Sequence, residues 1–293
     1  MMSIEAYTAK AATLIEALPY LQAFRGQTFL IKMGGSAMEN PELVKKVMRD
    51  IVFLEVVGVN PVIVHGGGKA ISAAMAEAGL KAEFIGGFRV TSPEAITIVE
   101  KTLTDILNPG LVDMLREFGG KAVGVPGTDV FIGERIKGIN DDGEHVDIGR
   151  VGQVVGSQKE QMLEALNANI VPVISPLASE LGTGKPLNVN ADLAAAALAK
   201  DLRAAKLIYL SDVPGLMQEP SKPETLIPSI NTERAAALIA DGTISGGMIP
   251  KINSALDALN NGVDKVHFID GRQAHSLLLE IFTNSGIGTE ITK

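Results

Sequence analysis

Apolar positions along this chain follow two alternating patterns. From Thr28 onward, short unbroken apolar runs are separated by stretches in which apolar residues return every three or four positions. "TFLIKM" (28–33) reads as a strand buried on both faces. "PELVKKVMRDIVFLEVVG" (41–58) places Leu43, Val47, Ile51 and Leu54 on one helical face, with Pro41 at its start and Gly58 at its end. "PVIVH" (61–65) is the next strand, which completes a βαβ unit whose crossover is expected to be right-handed. "KAVGV", "NIVPVIS", "KLIYLSDV" and "KVHFID" are further buried strands. The alternation predicts an α/β protein with a mainly parallel sheet.

Two regions break the alternation. Residues 3–24 read as a helix ahead of the first strand, with Leu14, Leu18 and Leu21 at helical spacing and Ile15 beside them. Pro19 interrupts that pattern, which predicts a kinked appendage. Between Gly127 and Gly156 the chain is glycine-rich and charged, with short alternating runs that predict hairpins. Proline and glycine in "SPLASELGTGKPLNVN" mark a seam near residue 185, and "QEPSKPETLIPS", within an excursion over 218–230, reads as exposed. The expected organisation is an N-terminal helix (1–25), an N-terminal lobe (26–185) and a C-terminal lobe (186–293) on one continuous sheet.

Composition narrows the class. The 293 residues are 46% hydrophobic and 20% charged, enough for a sizeable core. The formal net charge of −8, without a basic stripe, argues against nucleic acid and anionic membrane as partners. The absence of cysteine removes disulfides, thiolate nucleophiles and cysteine-held metals. No segment approaches the roughly 18 apolar residues of a membrane span, and the first twenty residues lack the pattern of a secretory signal. A soluble, cytoplasmic protein is expected.

The chemistry gathers at glycine. "KMGGS" (32–36), "HGGGK" (65–69) and "SGGMIPK" (245–251) each stand at a turn, the first two directly after strands. Successive backbone N–H groups at such turns, with a helix N-terminus behind them, suit an anion. None matches the Walker loop or the dinucleotide fingerprint. Lys32 directly precedes the first glycine pair, and Lys251 follows Gly247 by four residues. Two cations aimed at a glycine-lined cleft suit phosphoryl transfer, although a single lysine at a strand end is commonly just solvated. His65, His145, His267 and His275 show no metal-ligand spacing, and His65 reads as structural. Ser36 lacks the context of a hydrolase nucleophile.

Six segments occur in the order found in acetylglutamate kinases of the amino acid kinase family: "IKMGGSAM", "VIVHGGGKAI", "GGFRVT", "LNVNADLAAAALA", "LIYLSDVPGL" and "GGMIPKINSALDAL". The resemblance runs from about Ile15 to Thr289. Lys69 stands where many relatives carry proline, and Met33 replaces a frequent tyrosine. The resemblance implies an open αβα sandwich whose N-terminal lobe binds N-acetyl-L-glutamate and whose C-terminal lobe binds ATP, with Mg²⁺ carried by the nucleotide and no protein-held metal. It assigns Lys32 and Lys251 to stabilising the moving phosphoryl, and Asp192 to orienting both lysines. Gly34, Gly35 and Gly66 become phosphate-binding backbone, with Gly67 shared between the phosphoryl and the substrate. Gly67, Gly68, Arg89, Asn188 and Asn190 become the acylglutamate site. The acceptor would be a γ-carboxylate, ionised at neutral pH, so no general base is required.

The segment "LIEALPYLQAFRG" resembles the kinked helix that interlaces dimers into a hexamer in arginine-inhibited members, and "HSLLLEIFTNSGIGTEI" resembles the other wall of their arginine pocket. That likeness makes Tyr20, Lys206, Glu280, Ser285 and Gly286 candidate contacts to an arginine effector. A nitrogen-signalling protein is a possible further partner of such a ring. A capping role for the helix and a strand-closing role for the tail remain the simpler alternative. Two other readings stay open at this point: a related kinase acting on another acid, and a non-catalytic arginine sensor.

Overall fold

The computed structural model describes residues 3–219 and 222–293; Pro220 and Ser221, inside the expected excursion, lie outside the described residues, as do Met1 and Met2. The strands are β1 (Thr28–Met33), β2 (Asn60–His65), β3 (Phe84–Ile85), β4 (Phe88–Arg89), β5 (Ala122–Val125), β6 (Phe131–Ile139), β7 (His145–Ser157), β8 (Val171–Ile174), β9 (Leu177–Glu180), β10 (Pro186–Val189), β11 (Lys206–Ser211), β12 (Ser229–Asn231), β13 (Lys265–Asp270) and β14 (Thr289–Thr292). Eight of them form one sheet in the order β12-β14-β13-β11-β1-β2-β8-β5. Every neighbouring pair in it is parallel except β13 and β14.

The unbroken apolar runs are explained by burial on both sheet faces. Alternate residues of one strand feed two separate cores. Leu30, Val62, Val64, Leu207 and Tyr209 meet Ala194, Leu198, Ile252 and Ala255 from the helices Ala191–Asp201 and Met248–Asn260. Phe29, Ile31, Met33, Ile63 and Ile208 meet Val44, Met48, Ile51 and Leu111 on the opposite side. The result is the expected αβα sandwich with strands from both halves of the chain in one sheet. Helix Pro41–Val56 begins as its sequence predicts, with Pro41 in the first turn and the Asn40 side chain accepting from the Glu42 and Leu43 N–H groups. Its buried face centres on Val44, Val47, Met48 and Ile51, and Leu43 is only half-buried.

The hairpin region is more closed than its sequence pattern suggests. β6 and β7 pair antiparallel, and β9 and β10 complete a four-stranded closed unit with them. The expected seam at residue 185 is the turn of the β9–β10 hairpin. So small a barrel leaves no interior room for side chains on facing strands: a Cβ at Gly133 or Gly152 would run into Ala178 or Leu187. A second departure is the π-helical stretch Lys101–Leu107, between the helices Pro93–Glu100 and Asn108–Glu117. The N-terminal helix spans Ile4–Phe24 with Pro19 inside it. Leu14, Ile15 and Leu18 of its apolar pattern are exposed, and the helix is seated by its last turn, where Tyr20 and Phe24 pack edge-on against Phe282. Among the described residues no helix is long and apolar enough to cross a membrane.

Candidate active site

Parallel strands present their carboxyl ends together, so residues far apart in sequence meet beyond them. At the ends of β1, β2 and β10 lies a cleft of about 240 Å³. Lys32, Gly34, Gly35, Gly66, Gly67, Gly68, Arg89, Asn188, Asn190 and Asp192 all line it.

Asp192 sits in the first turn of helix Ala191–Asp201 and lies between two ammonium groups. Lys251, in the first turn of helix Met248–Asn260, donates a hydrogen bond to Asp192 Oδ2 at 2.6 Å. Lys32 Nζ lies 2.8 Å from Oδ1, so each carboxylate oxygen faces one ammonium. Burial pushes the Asp192 carboxyl up, but the positive charges of Lys32 and Lys251 outweigh it and hold the group below its ordinary value. The Lys32 side chain curls back over Gly34, where any Cβ would collide with its Nζ. A side chain at 34 would displace the ammonium from this position.

The triple glycine has three distinct roles. The Gly66 N–H donates to Met33 O at 2.7 Å, which ties the two glycine turns together. That donor is already used, so the expected phosphate contact from the Gly66 N–H is not what this geometry provides. A Cβ at Gly67 would strike the tips of Leu103 and Leu107, which the π-helical stretch presses against the turn. Only Gly68 faces open space. His65 beneath them is fully buried; its Nδ1 donates to Gly66 O, and its Nε2 accepts from the Asn108 amide. Burial lowers its pKa to about 4, so it is a neutral structural residue, as its context implied.

Arg89, at the end of β4, is 7% exposed. Its Nη2 donates to Gly68 O (2.8 Å) and Ser72 Oγ (2.9 Å), and its guanidinium stacks 4.7 Å from the Phe84 ring centre. Nη1 reaches Met75 Sδ at 3.6 Å, and among the described residues neither it nor Nε has an oxygen partner, so single N–H groups on two edges of the guanidinium remain for a ligand. Asn188 donates to Thr91 Oγ1, which in turn donates to Arg89 O, a relay that fixes the strand end. The Asn190 side chain has a second task beside lining the cleft: its Oδ1 caps the helix by accepting from Asp192 N and Leu193 N. Sequence reasoning missed Phe84, Leu103 and Ser72. Phe84 and Ser72 flank quoted motifs, whereas Leu103 owes its place to a π-helical register without a recognisable sequence signal.

A second cavity, of about 440 Å³, lies where the N-terminal helix meets the C-terminal segment. Tyr20, Lys206, Glu280, Ser285 and Gly286 all line it, together with His267, Lys265 and Glu290. The Glu280 carboxylate is already well supplied with donors: Oε1 pairs with His267 Nδ1 at 2.7 Å, and Oε2 accepts from the Ile287 and Gly288 N–H groups. Burial raises its pKa, but those donors outweigh burial and hold it low. Gly286, at φ +62°, leaves room for that carboxylate, since a Cβ there would press on it. Lys206 is pushed down to about 8 by burial.

The sequence model of the amino acid kinase family matches residues 27–270. The acetylglutamate kinase of Akkermansia muciniphila is 66% identical over 284 residues, covering 97% of this chain and 96% of that one. Among solved structures, the N-acetylglutamate synthase from Neisseria gonorrhoeae complexed with coenzyme A and N-acetyl-glutamate superposes with a TM-score of 0.84 at 26% identity. It covers 97% of this chain, and this chain spans 63% of the synthase, under two thirds of its length. The same synthase complexed with coenzyme A and L-arginine gives a TM-score of 0.80 at 25% identity, with 97% of this chain and 65% of that one covered. Matched along nearly its whole length, the chain belongs to the amino acid kinase family, in its acetylglutamate kinase branch.

Proposed function

We propose that this enzyme transfers the γ-phosphoryl group of ATP to the γ-carboxylate of N-acetyl-L-glutamate, forming N-acetyl-L-glutamyl 5-phosphate for arginine biosynthesis. The observation that carries the reading is the Lys32–Asp192–Lys251 arrangement, in which Lys32 and Asp192 line a cleft shared with Arg89 and Lys251 joins it through Asp192. An ionised carboxylate attacks the γ-phosphorus, a new O–P bond forms, and the bond to the β-phosphate oxygen breaks to release ADP. The obstacle is repulsion between two anions. Fixed cations and backbone N–H groups offset it, and they act most strongly on the charge that builds on the transferring oxygens. Asp192 keeps both Lys32 and Lys251 in place, so that their ammonium groups face the moving phosphoryl. Arg89 offers the substrate carboxylate a remaining N–H group and its charge, and Phe84 and Leu103 wall the acyl end.

Mg²⁺ supplies charge neutralisation on the phosphates. Among the described residues no group of three or more His, Asp or Glu side chains is placed to hold a metal; in this reading the ion is carried by the nucleotide. The second cavity is read as an arginine site in which the N-terminal helix and C-terminal tail share the ligand. The synthase neighbour complexed with L-arginine supports that reading. The exposed Leu14, Ile15 and Leu18 of the N-terminal helix support a homo-oligomer assembled through it, a hexamer of three dimers in the fullest form.

ATP-dependent acyl phosphate formation, trapped with hydroxylamine, tests the assignment across N-acetylglutamate, glutamate, aspartate and aminoadipate. Turnover confined to N-acetylglutamate, and reduced about 10²- to 10³-fold in Lys251→Ala, is expected. Preference for another acid would overturn the substrate. No turnover on any acid would move the protein to the class of non-catalytic sensors.

A further inference from the structure

Tyr209 lies on β11 directly beside Lys32 on β1 in the parallel register, so the two side chains point to the same sheet face. Its ring is fully buried and stacks on Phe268 of β13 at 4.9 Å, with planes 9° apart. The ring thereby carries a hydroxyl to the junction of the two helices that bear Asp192 and Lys251. Tyr209 Oη lies 3.2 Å from Ser254 Oγ, and 3.5 Å from the Asp192 backbone oxygen. Ser254 is one helical turn beyond Lys251, on the same helix. A buried hydroxyl needs a partner, and these two oxygens belong to the two elements whose spacing sets the Lys251–Asp192 contact.

From this juxtaposition we propose that Tyr209 is a positioning residue for phosphoryl transfer: through Ser254 and the Asp192 carbonyl it fixes the distance between the Asp192 helix and the Lys251 helix. The proposal rests on the phosphoryl-transfer reading above. Tyr209 touches no substrate. A sheet residue of ordinary core character needs only its aromatic ring; the hydroxyl is the part this role explains. Burial keeps that hydroxyl protonated, and the nearby Asp192 charge acts in the same direction, so it serves as a fixed dipole.

Tyr209→Phe keeps the ring and its stacking and removes only the hydroxyl. Expected is a kcat about 5- to 10-fold lower, the scale of one neutral hydrogen bond, with both KM values within about twofold and the melting temperature essentially retained. Ser254→Ala should give the same split, Ser254→Thr should restore kcat, and the Tyr209→Phe/Ser254→Ala pair should lose no more than either single change. Unchanged kcat in Tyr209→Phe, or losses that multiply in the pair, would overturn the proposal. A crystal structure of Tyr209→Phe gives a readout independent of substrate. A lengthened Lys251–Asp192 contact is expected, and an unmoved one would also overturn the proposal. Absence of turnover by the unaltered enzyme would instead count against the phosphoryl-transfer reading, and the crystallographic spacing would still judge the role of Tyr209.

Discussion

Replacing Arg89 by lysine keeps the positive charge and removes the fork. In the native chain Nη2 is committed to Gly68 O and Ser72 Oγ and Nη1 reaches Met75 Sδ, so the ligand is left with single N–H groups on opposite edges of a stacked guanidinium. A lysine ammonium reaching the same point can serve one carboxylate oxygen well and loses the planar stack on Phe84. A hydrogen bond to a charged group is worth about 1.5–3 kcal/mol, so losing one such bond converts to about 10- to 150-fold weaker binding. The expected outcome of Arg89→Lys is an N-acetylglutamate KM raised by that factor, with kcat within about threefold and the KM for ATP unchanged. Calorimetric titration of N-acetylglutamate should show the same loss, which separates binding from chemistry. Ser72→Ala is the control, because it removes an internal partner of the guanidinium and leaves the ligand-facing nitrogens intact; its affinity should stay within about threefold. An Arg89→Lys enzyme with native affinity and a collapsed kcat would refute the reasoning, since it would place the guanidinium at the phosphoryl group instead of the substrate carboxylate.

Gly34→Ala places a Cβ where Lys32 Nζ now lies, which forces the ammonium away from Asp192. A displacement on the scale of 1 Å costs about 10²-fold in turnover, so steady-state kinetics should show that loss with a near-native melting curve. Removal of residues 1–25 takes Tyr20 and Phe24 from the second cavity, and should leave basal activity while abolishing arginine inhibition; unchanged arginine sensitivity would sink the effector assignment. Asp50, buried and raised to about 6 chiefly by desolvation, contributes stability that is full below pH 3.8 and lost as pH rises through 6. Asp50→Asn does not titrate, so its stability relative to the native enzyme should rise by about 3 kcal/mol across that window in denaturant titrations at pH 4 to 7. Buried His65, lowered to about 4, has the opposite sign: its contribution is present above 6.5 and lost as pH falls towards 4. Because His65 is common to both proteins, it cancels in that comparison.

What the sequence displays and what it conceals follow from the range of the interactions involved. Strand β1 and helix Pro41–Val56 match their predicted starts because a buried parallel strand and a capped amphipathic helix are written in consecutive residues. The glycine turns pair Lys32 with Lys251, but Asp192 joins them only through resemblance, since no local pattern links positions separated by 160 and 59 residues. Once the sheet order places β11 against β1, that meeting becomes a matter of parallel register and helix N-termini. The closed four-stranded unit escaped because its pairings join β6 and β7 to strands on either side of residue 185, where glycine and proline read as a boundary. The three glycines 66–68 show the same limit from the other side. A glycine run announces close approach, but the approaching groups here are Met33 O at Gly66, two leucines at Gly67 and open cleft at Gly68. The sequence therefore identifies where the backbone must be bare. Which atom makes it so depends on a π-helical turn some forty residues away, and that turn is held by Asn108 on His65 and Val173 O, by packing rather than by any motif.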